Sequence, residues 1–250
     1  MIRVPIPDSG LRTRIPILKI LSADFVTSAA AGGRADGIPA DGLGQLAFAG
    51  RSNVGKSTLL NALARRKLAR TSAAPGKTRL ANIYRLSIEG GPGGPGRWGV
   101  YFVDLPGYGY ARGGEDSATE LAAVARAYFE NRDSRFAIRD SNGEPRTSNG
   151  EPRPDPGTER TNHATLLLID SRHPGLQSDI DAARWFDSFG VARHVIATKI
   201  DKLSRSERGR NLKELERIFG STPLPVSAAG GEGLDELWRL IARVAREQPR

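Results

Sequence analysis

Residues Gly50 to Ser57 read GRSNVGKS and directly follow the apolar run Gln45-Leu46-Ala47-Phe48-Ala49. Glycines, a lysine and a serine at this spacing fit the phosphates of a nucleotide: Gly50 and Gly55 let the backbone turn tightly where a Cβ would obstruct it. The amides of Arg51, Ser52, Asn53 and Val54 complete the loop. Lys56 reaches the β- and γ-phosphates as a point charge, and the Ser57 hydroxyl is placed to ligate Mg²⁺. Thr58 then opens a helix whose N-terminal dipole favours the same anion. A chance lysine in a glycine-containing turn would need neither the strand before it nor the helix after it.

Four further motifs occur in the order a guanine-nucleotide switch requires. Pro75-Gly76-Lys77-Thr78 lies between the first helix and the second strand, so that Thr78 can complete Mg²⁺ coordination when GTP is present. Asp104-Leu105-Pro106-Gly107 ends a strand, with a carboxylate near the ion, through water, and a glycine amide for the γ-phosphate. In Thr198-Lys199-Ile200-Asp201 the carboxylate can accept from guanine N1–H and the 2-amino group, a pattern adenine does not offer. Val226-Ser227-Ala228 supplies a backbone N–H for guanine O6. Each string alone is as readily a turn or a helix cap; in this order, each at a strand end, they point to guanine.

The elements that must hold these residues follow from hydrophobic period. Strands are expected over 45–49, 81–89, 98–104, 165–170, 194–198 and 223–227. A helix from about Glu115 to Glu130 shows an apolar face at Leu121, Val124, Ala125, Tyr128 and Phe129. Ala182, Trp185, Phe186 and Phe189 mark another, ended by Gly190. Ser204 with Glu207 forms a capping box before Leu212, Leu215, Ile218 and Phe219, and Leu234, Leu237, Trp238 and Ile241 give a last helix. The fold class is α/β: a three-layer P-loop G domain, with a mostly parallel six-stranded sheet, one antiparallel strand and helices on both faces.

Between these elements lie three segments of other composition. Gly90 to Gly96 reads GGPGGPG, expected as a mobile hairpin tip. SNGEPR occurs at Ser141–Arg146 and again at Ser148–Arg153, in a stretch too poor in aliphatics to offset ordering entropy; a disordered insertion is expected over about 133–162. Residues 1–44 are expected to be an extension with one possible strand and a flexible connection, and 45–248 the G domain.

Composition bounds the rest. The 250 residues include no cysteine, which removes disulfides and thiolate metal sites, and His163, His173 and His194 are too scattered for a metal cluster. Prolines interrupt the N-terminal apolar stretches and nothing approaches a membrane span, so a cytoplasmic protein without membrane partners is expected. The net charge of +9 favours polyanions, RNA in particular. It fits a generic basic surface equally well, and no aromatic-basic RNA-reading strand is present.

AFAGRSNVGKSTLLNAL, LARTSAAPGKTRLANIY, FVDLPGYGYA, LLLIDSRHPG, ATKIDKL and PVSA together resemble the EngB (YihA/YsxC) GTPases, within the larger Era and EngA-like group. The likeness runs from about Ile17 to the last helix. It implies a single, monomeric G domain that binds GTP and GDP, uses Mg²⁺ and assists assembly of the large ribosomal subunit, with rRNA and ribosomal proteins rather than DNA as partners. Cell division and septum formation belong to the same family picture. The resemblance also explains Thr198, where most guanine-specific motifs have Asn. Tyr108 stands where many small GTPases carry the water-orienting Gln, so hydrolysis is expected to be slow unless assisted. In related GTPases an Asn at the position of Asn53 helps hold K⁺ beside the phosphates, which makes Lys56, Thr78 and Asn53 the catalytic candidates. Two other classes stay open: an assembly module that uses GTP and GDP as ligands without turnover, and, less consistent with Asp201, an ATP-dependent enzyme.

Overall fold

The computed structural model describes residues 18–29, 39, 41–69, 80–108, 123–126, 128–129 and 163–246, with two short backbone segments at 138–139 and 145–146. Strands β1 (Lys19–Ala29), β2 (Gln45–Gly50), β3 (Ala81–Glu89), β4 (Arg97–Asp104), β7 (His163–Asp170), β8 (Ala192–Thr198) and β9 (Leu224–Pro225) form one sheet in the order β1-β3-β4-β2-β7-β8-β9. Among the described residues, the segments β5 (Ile138–Arg139) and β6 (Pro145–Arg146) pair with each other. The rest of the expected insertion lies outside the described residues.

The ladders from β4 through β2, β7 and β8 to β9 are all parallel, whereas β3 runs antiparallel to both its neighbours. A single reversed strand therefore sits in an otherwise parallel sheet. The six strands read from hydrophobic period are present and β1 adds a seventh at the edge. Its signal in sequence is weak for a physical reason. Register shifts between Ile20 and Ser22 and between Phe25 and Thr27 break the two-residue alternation, and Phe25 and Val26 stay exposed.

Alternation within the central strands divides the core in two. Leu46 and Phe48 of β2, Phe102 of β4, and Leu166 and Leu168 of β7 face α1 (Lys56–Ala64) and α4 (Leu234–Arg246). Ala47, Ala49, Val103, Leu167 and Ile169 face the other way. There they meet α2 (Gln177–Asp187), α3 (Arg205–Phe219) and the helical residues Val124, Ala125, Tyr128 and Phe129. Strands buried on both faces read as continuous apolar runs, as they do here. Helix ends follow the expected chemistry: Ser204 and Glu207 cap α3 reciprocally and Gly220 ends it at φ 68. Of the helix expected over 115–130, residues 115–122, 127 and 130 lie outside the described residues.

The glycine-rich tip after β3 is a correction. Gly91–Gly93 forms a 3₁₀ turn, the amides of Gly90 and Gly94 are bonded to Gly96 and Gly91, and Trp98 Nε1 donates to Gly90 O at 3.0 Å. Gly91 and Gly93 are buried because their missing side chains admit Leu18 and the Trp98 ring, whose atoms stand 2.8 and 2.5 Å from where a Cβ would be. Composition suggested mobility, but the glycines serve close packing.

The C-terminal ends of β2, β4, β8 and β9 all open on one edge of the sheet. Ligands of open α/β sheets bind at that edge.

Candidate nucleotide site

The loop after β2 is shaped by three residues. A Cβ on Gly50 would stand 2.8 Å from Val54 Cγ1 and 3.0 Å from Leu168 O, so only glycine fits there. Asn53 and Gly55 adopt positive φ of 66° and 106°, which turns the chain back and starts α1 at Lys56. Gly55 offers no side-chain cap and the first turn of α1 carries no acidic residue. The positive end of the helix is left for an external anion.

Lys56 and Asp104 converge from different elements. The Lys56 ammonium is ion-paired with Asp104 Oδ1, and only 11% and 6% of the two side chains are exposed. Ser57, partly buried, is adjacent to Lys56 in the first turn. Leu105 N–H donates to Phe48 O at 3.1 Å, carrying the chain after β4 over the end of β2. Two more bonds join it to the phosphate loop: Ser52 N–H to Tyr108 O at 3.0 Å and Tyr108 N–H to Gly50 O at 3.3 Å. Gly107 is held so close that a Cβ would lie 3.1 Å from Ser52 N. Leu105 and Pro106 are buried beneath it.

The Thr198–Asp201 segment is fastened to the same loop. Thr198 Oγ1 lies 2.8 Å from Val54 O and 3.1 Å from Ile169 O. Lys199, at φ 59°, donates from Nζ to Asn53 O at 2.5 Å and to Asp170 Oδ2 at 2.9 Å. Ile200 is buried beneath, while Asp201 is exposed and accepts from Ser227 Oγ at 2.8 Å. That bond, foremost, holds the Asp201 carboxyl below its ordinary range and keeps it ionised. Of the three amides in Val226-Ser227-Ala228, that of Val226 is bonded to Ala197 O and that of Ser227 to Glu232 O. Among the described residues no such backbone bond is made by the amide of Ala228.

Two carboxylates belong to this assembly that motif reading did not single out. Asp170 ends β7 and holds Lys199 and Arg172. Burial alone would raise its pKa, but the hydrogen bonds from Arg172 and Lys199 outweigh burial and hold the carboxyl well below the usual range. Its place after an apolar strand at the ligand edge was a legible signal. Asp179, in the first turn of α2, is 1% exposed and accepts from the Tyr108 hydroxyl at 3.0 Å. Nothing in its local sequence marks a partner 71 residues away. Burial pushes its carboxyl up to about 6, against the Tyr108 hydrogen bond and the field of Arg51. Burial and the Asp179 charge hold the Tyr108 phenol far above its ordinary value.

Gly76, Lys77 and Thr78 lie outside the described residues. Among the described residues no three acidic or histidine side chains cluster as a metal site. None of the described helices is long and apolar enough to cross a membrane.

A protein-family model described as "50S ribosome-binding GTPase" matches residues 45–199. The probable GTP-binding protein EngB of Anaeromyxobacter sp. (strain K) is 37% identical over 236 residues, 93% of this chain and 95% of its own length. That of Thermotoga maritima is 35% identical over 208 residues, covering 82% and 88%. The chain belongs to the EngB family of GTP-binding proteins. Like that family it is a P-loop GTPase, binding GTP and hydrolysing it. Solved structures agree on the fold. A probable GTP-binding protein engB superposes with a TM-score of 0.53 at 20% identity, covering 81% of this chain and 99% of that one. Aquifex aeolicus Era gives 0.59 at 22%, covering 82% and 57%. In this EngB-family chain the strand-end loops carrying GRSNVGKS, DLPG, TKID and VSA meet at one edge of the sheet.

Proposed function

We propose that this EngB-family GTPase is a slow nucleotide switch acting in assembly of the large ribosomal subunit. The observation that carries the switch reading is the double backbone tie between the phosphate loop and Tyr108, with Gly107 against Ser52. A γ-phosphate on the loop would meet the Gly107 amide at once, and the chain beyond Tyr108 would respond to its loss. The ribosomal partner is supported by the description of the matching family and by a net charge of +9.

In this reading the amides of residues Gly50–Thr58 cradle the phosphates, and Lys56 exchanges Asp104 for phosphate oxygens. The ring of guanine is read by Asp201, with Thr198, Lys199 and Ile200 setting the loop that carries it. The Ala228 amide, rather than those of Val226 and Ser227, donates to O6. Ser57 and, through water, Asp104 offer hard oxygens beside the phosphate loop and would fit Mg²⁺; Thr78 is their third partner from sequence. Mg²⁺ held there would supply charge neutralisation to the phosphates.

Tyr108 does not take the part of a water-orienting Gln, because it lacks the amide and its hydroxyl is committed to Asp179. Assistance then comes from elsewhere. Asn53, exposed at the crest of the loop and in a left-handed conformation, is the candidate to hold K⁺ beside the phosphates. Single-turnover GTP hydrolysis should run faster in KCl than in NaCl at equal ionic strength, and equal rates would remove this role from Asn53.

The ribosomal reading is tested by sedimentation with large subunits in GDP, GTP and a non-hydrolysable GTP analogue. Co-migration is expected with GTP and the analogue and to weaken with GDP. Binding indifferent to nucleotide would leave a ribosome-associated protein but no switch.

A further inference from the structure

Tyr108 is held from two sides. Its backbone is paired with Gly50 and Ser52 of the phosphate loop, and its ring packs into the core on the α2 side, where the hydroxyl meets Asp179. Asp179 is almost wholly buried, an environment that disfavours a carboxylate unless it is hydrogen-bonded. The partner it has is the residue after Gly107. Its own amide is bonded to Leu176 O, so the first turn of α2 holds it in place.

Between Leu105, anchored to Phe48 O, and Tyr108, anchored at backbone and hydroxyl, only Pro106 and Gly107 intervene. Proline has a fixed φ, and Gly107 lies against Ser52. The direction of the Gly107 amide is thus set by its two neighbours. Removing the hydroxyl anchor leaves Tyr108 tied by its backbone alone. Arg51, the residue opposite Tyr108 in the parallel bridge, adds positive charge beside the pair.

We propose that Asp179 is a positioning residue for γ-phosphate recognition: by accepting the Tyr108 hydroxyl it holds the Gly107 amide on the phosphate loop before GTP arrives. This rests on the reading of Gly107 as the γ-phosphate contact. It gives Tyr108 a role of its own, as a strut where other GTPases use a side chain to orient water. GDP, which makes no contact at Gly107, gains nothing from the strut.

The test is equilibrium binding of GDP and of a non-hydrolysable GTP analogue to Tyr108→Phe, Asp179→Ala, Asp179→Asn and Gly107→Ala. Losing one hydrogen bond should weaken the analogue about three- to tenfold in Tyr108→Phe and in Asp179→Ala. GDP affinity should stay within about twofold, which also reports that the fold survives, and combining the two changes should add little to either alone. Asp179→Asn keeps an acceptor oxygen and should recover most of the loss. Equal weakening of GDP and analogue, or no change in either, overturns the proposal. If Gly107→Ala loses discrimination while Tyr108→Phe keeps it, the strut alone is wrong. If Gly107→Ala also keeps it, the γ-phosphate reading beneath the strut has failed.

Discussion

Asp179 and Asp170 end up on opposite sides of the ordinary carboxylate range although both lie at the ligand edge of the sheet. Asp170 has two cationic donors, so its ionised form is favoured despite burial. Asp179 has one neutral hydroxyl and burial, and its carboxyl rises to about 6. The sign of the consequence differs too. A raised acid stabilises the fold below its unfolded pKa, near 3.8, and loses that contribution as pH climbs through about 6. Asp179→Asn mimics the protonated acid at every pH. The variant should therefore gain stability relative to the parent between about pH 5 and pH 7. Urea denaturation at both values measures it, and a constant difference would mean that Asp179 does not titrate in this window.

The loops at the strand ends are one unit because side chains cross between them. The single Thr198 hydroxyl is shared between carbonyls of the phosphate loop and of β7, and Lys199 spans Asn53 and Asp170. The segment proposed to read the base is thus built on the phosphate loop itself. Thr198→Val, nearly isosteric, leaves the Val54 and Ile169 carbonyls without this donor. A loss of about 1–3 kcal/mol in stability is expected, with GDP affinity falling alongside it. A normal denaturation midpoint together with normal GDP affinity would show that the cross-tie contributes nothing. At this scale much was legible in sequence. Buried strands with long apolar runs, helix caps at Ser204 and Gly220, and strand-turn-helix punctuation at Gly50–Ser57 are local signals. Three features were not. The bulges of β1 blur its period, the glycines of the β3–β4 tip are used for packing against Leu18 and Trp98, and the Tyr108–Asp179 bond joins residues from separate elements. Each depends on contacts that only the folded chain creates.

Across the whole molecule, one reversed strand, β3, sits beside the parallel ladders that bring β4, β2, β7, β8 and β9 to a common edge. In the proposed reading, phosphate chemistry lies at the ends of β2 and β4 and base reading at the ends of β8 and β9. That reading assigns guanine selectivity to the exposed Asp201 carboxylate, steadied by Ser227. Two charge-assisted hydrogen bonds to a base are together worth about 3–6 kcal/mol, which converts to roughly a hundredfold or more in affinity. The most direct measurement is displacement of a fluorescent GDP by GDP, ADP and XDP from the unaltered protein and from Asp201→Asn. The predicted result is GDP over ADP by roughly a hundredfold or more in the former. In the variant GDP should be lost and XDP gained, because Asn can donate to the carbonyl that xanthine carries in place of the 2-amino group. Displacement by ADP as effective as by GDP, or an Asp201→Asn variant that still prefers GDP, would contradict the assignment of this edge as a guanine-nucleotide site.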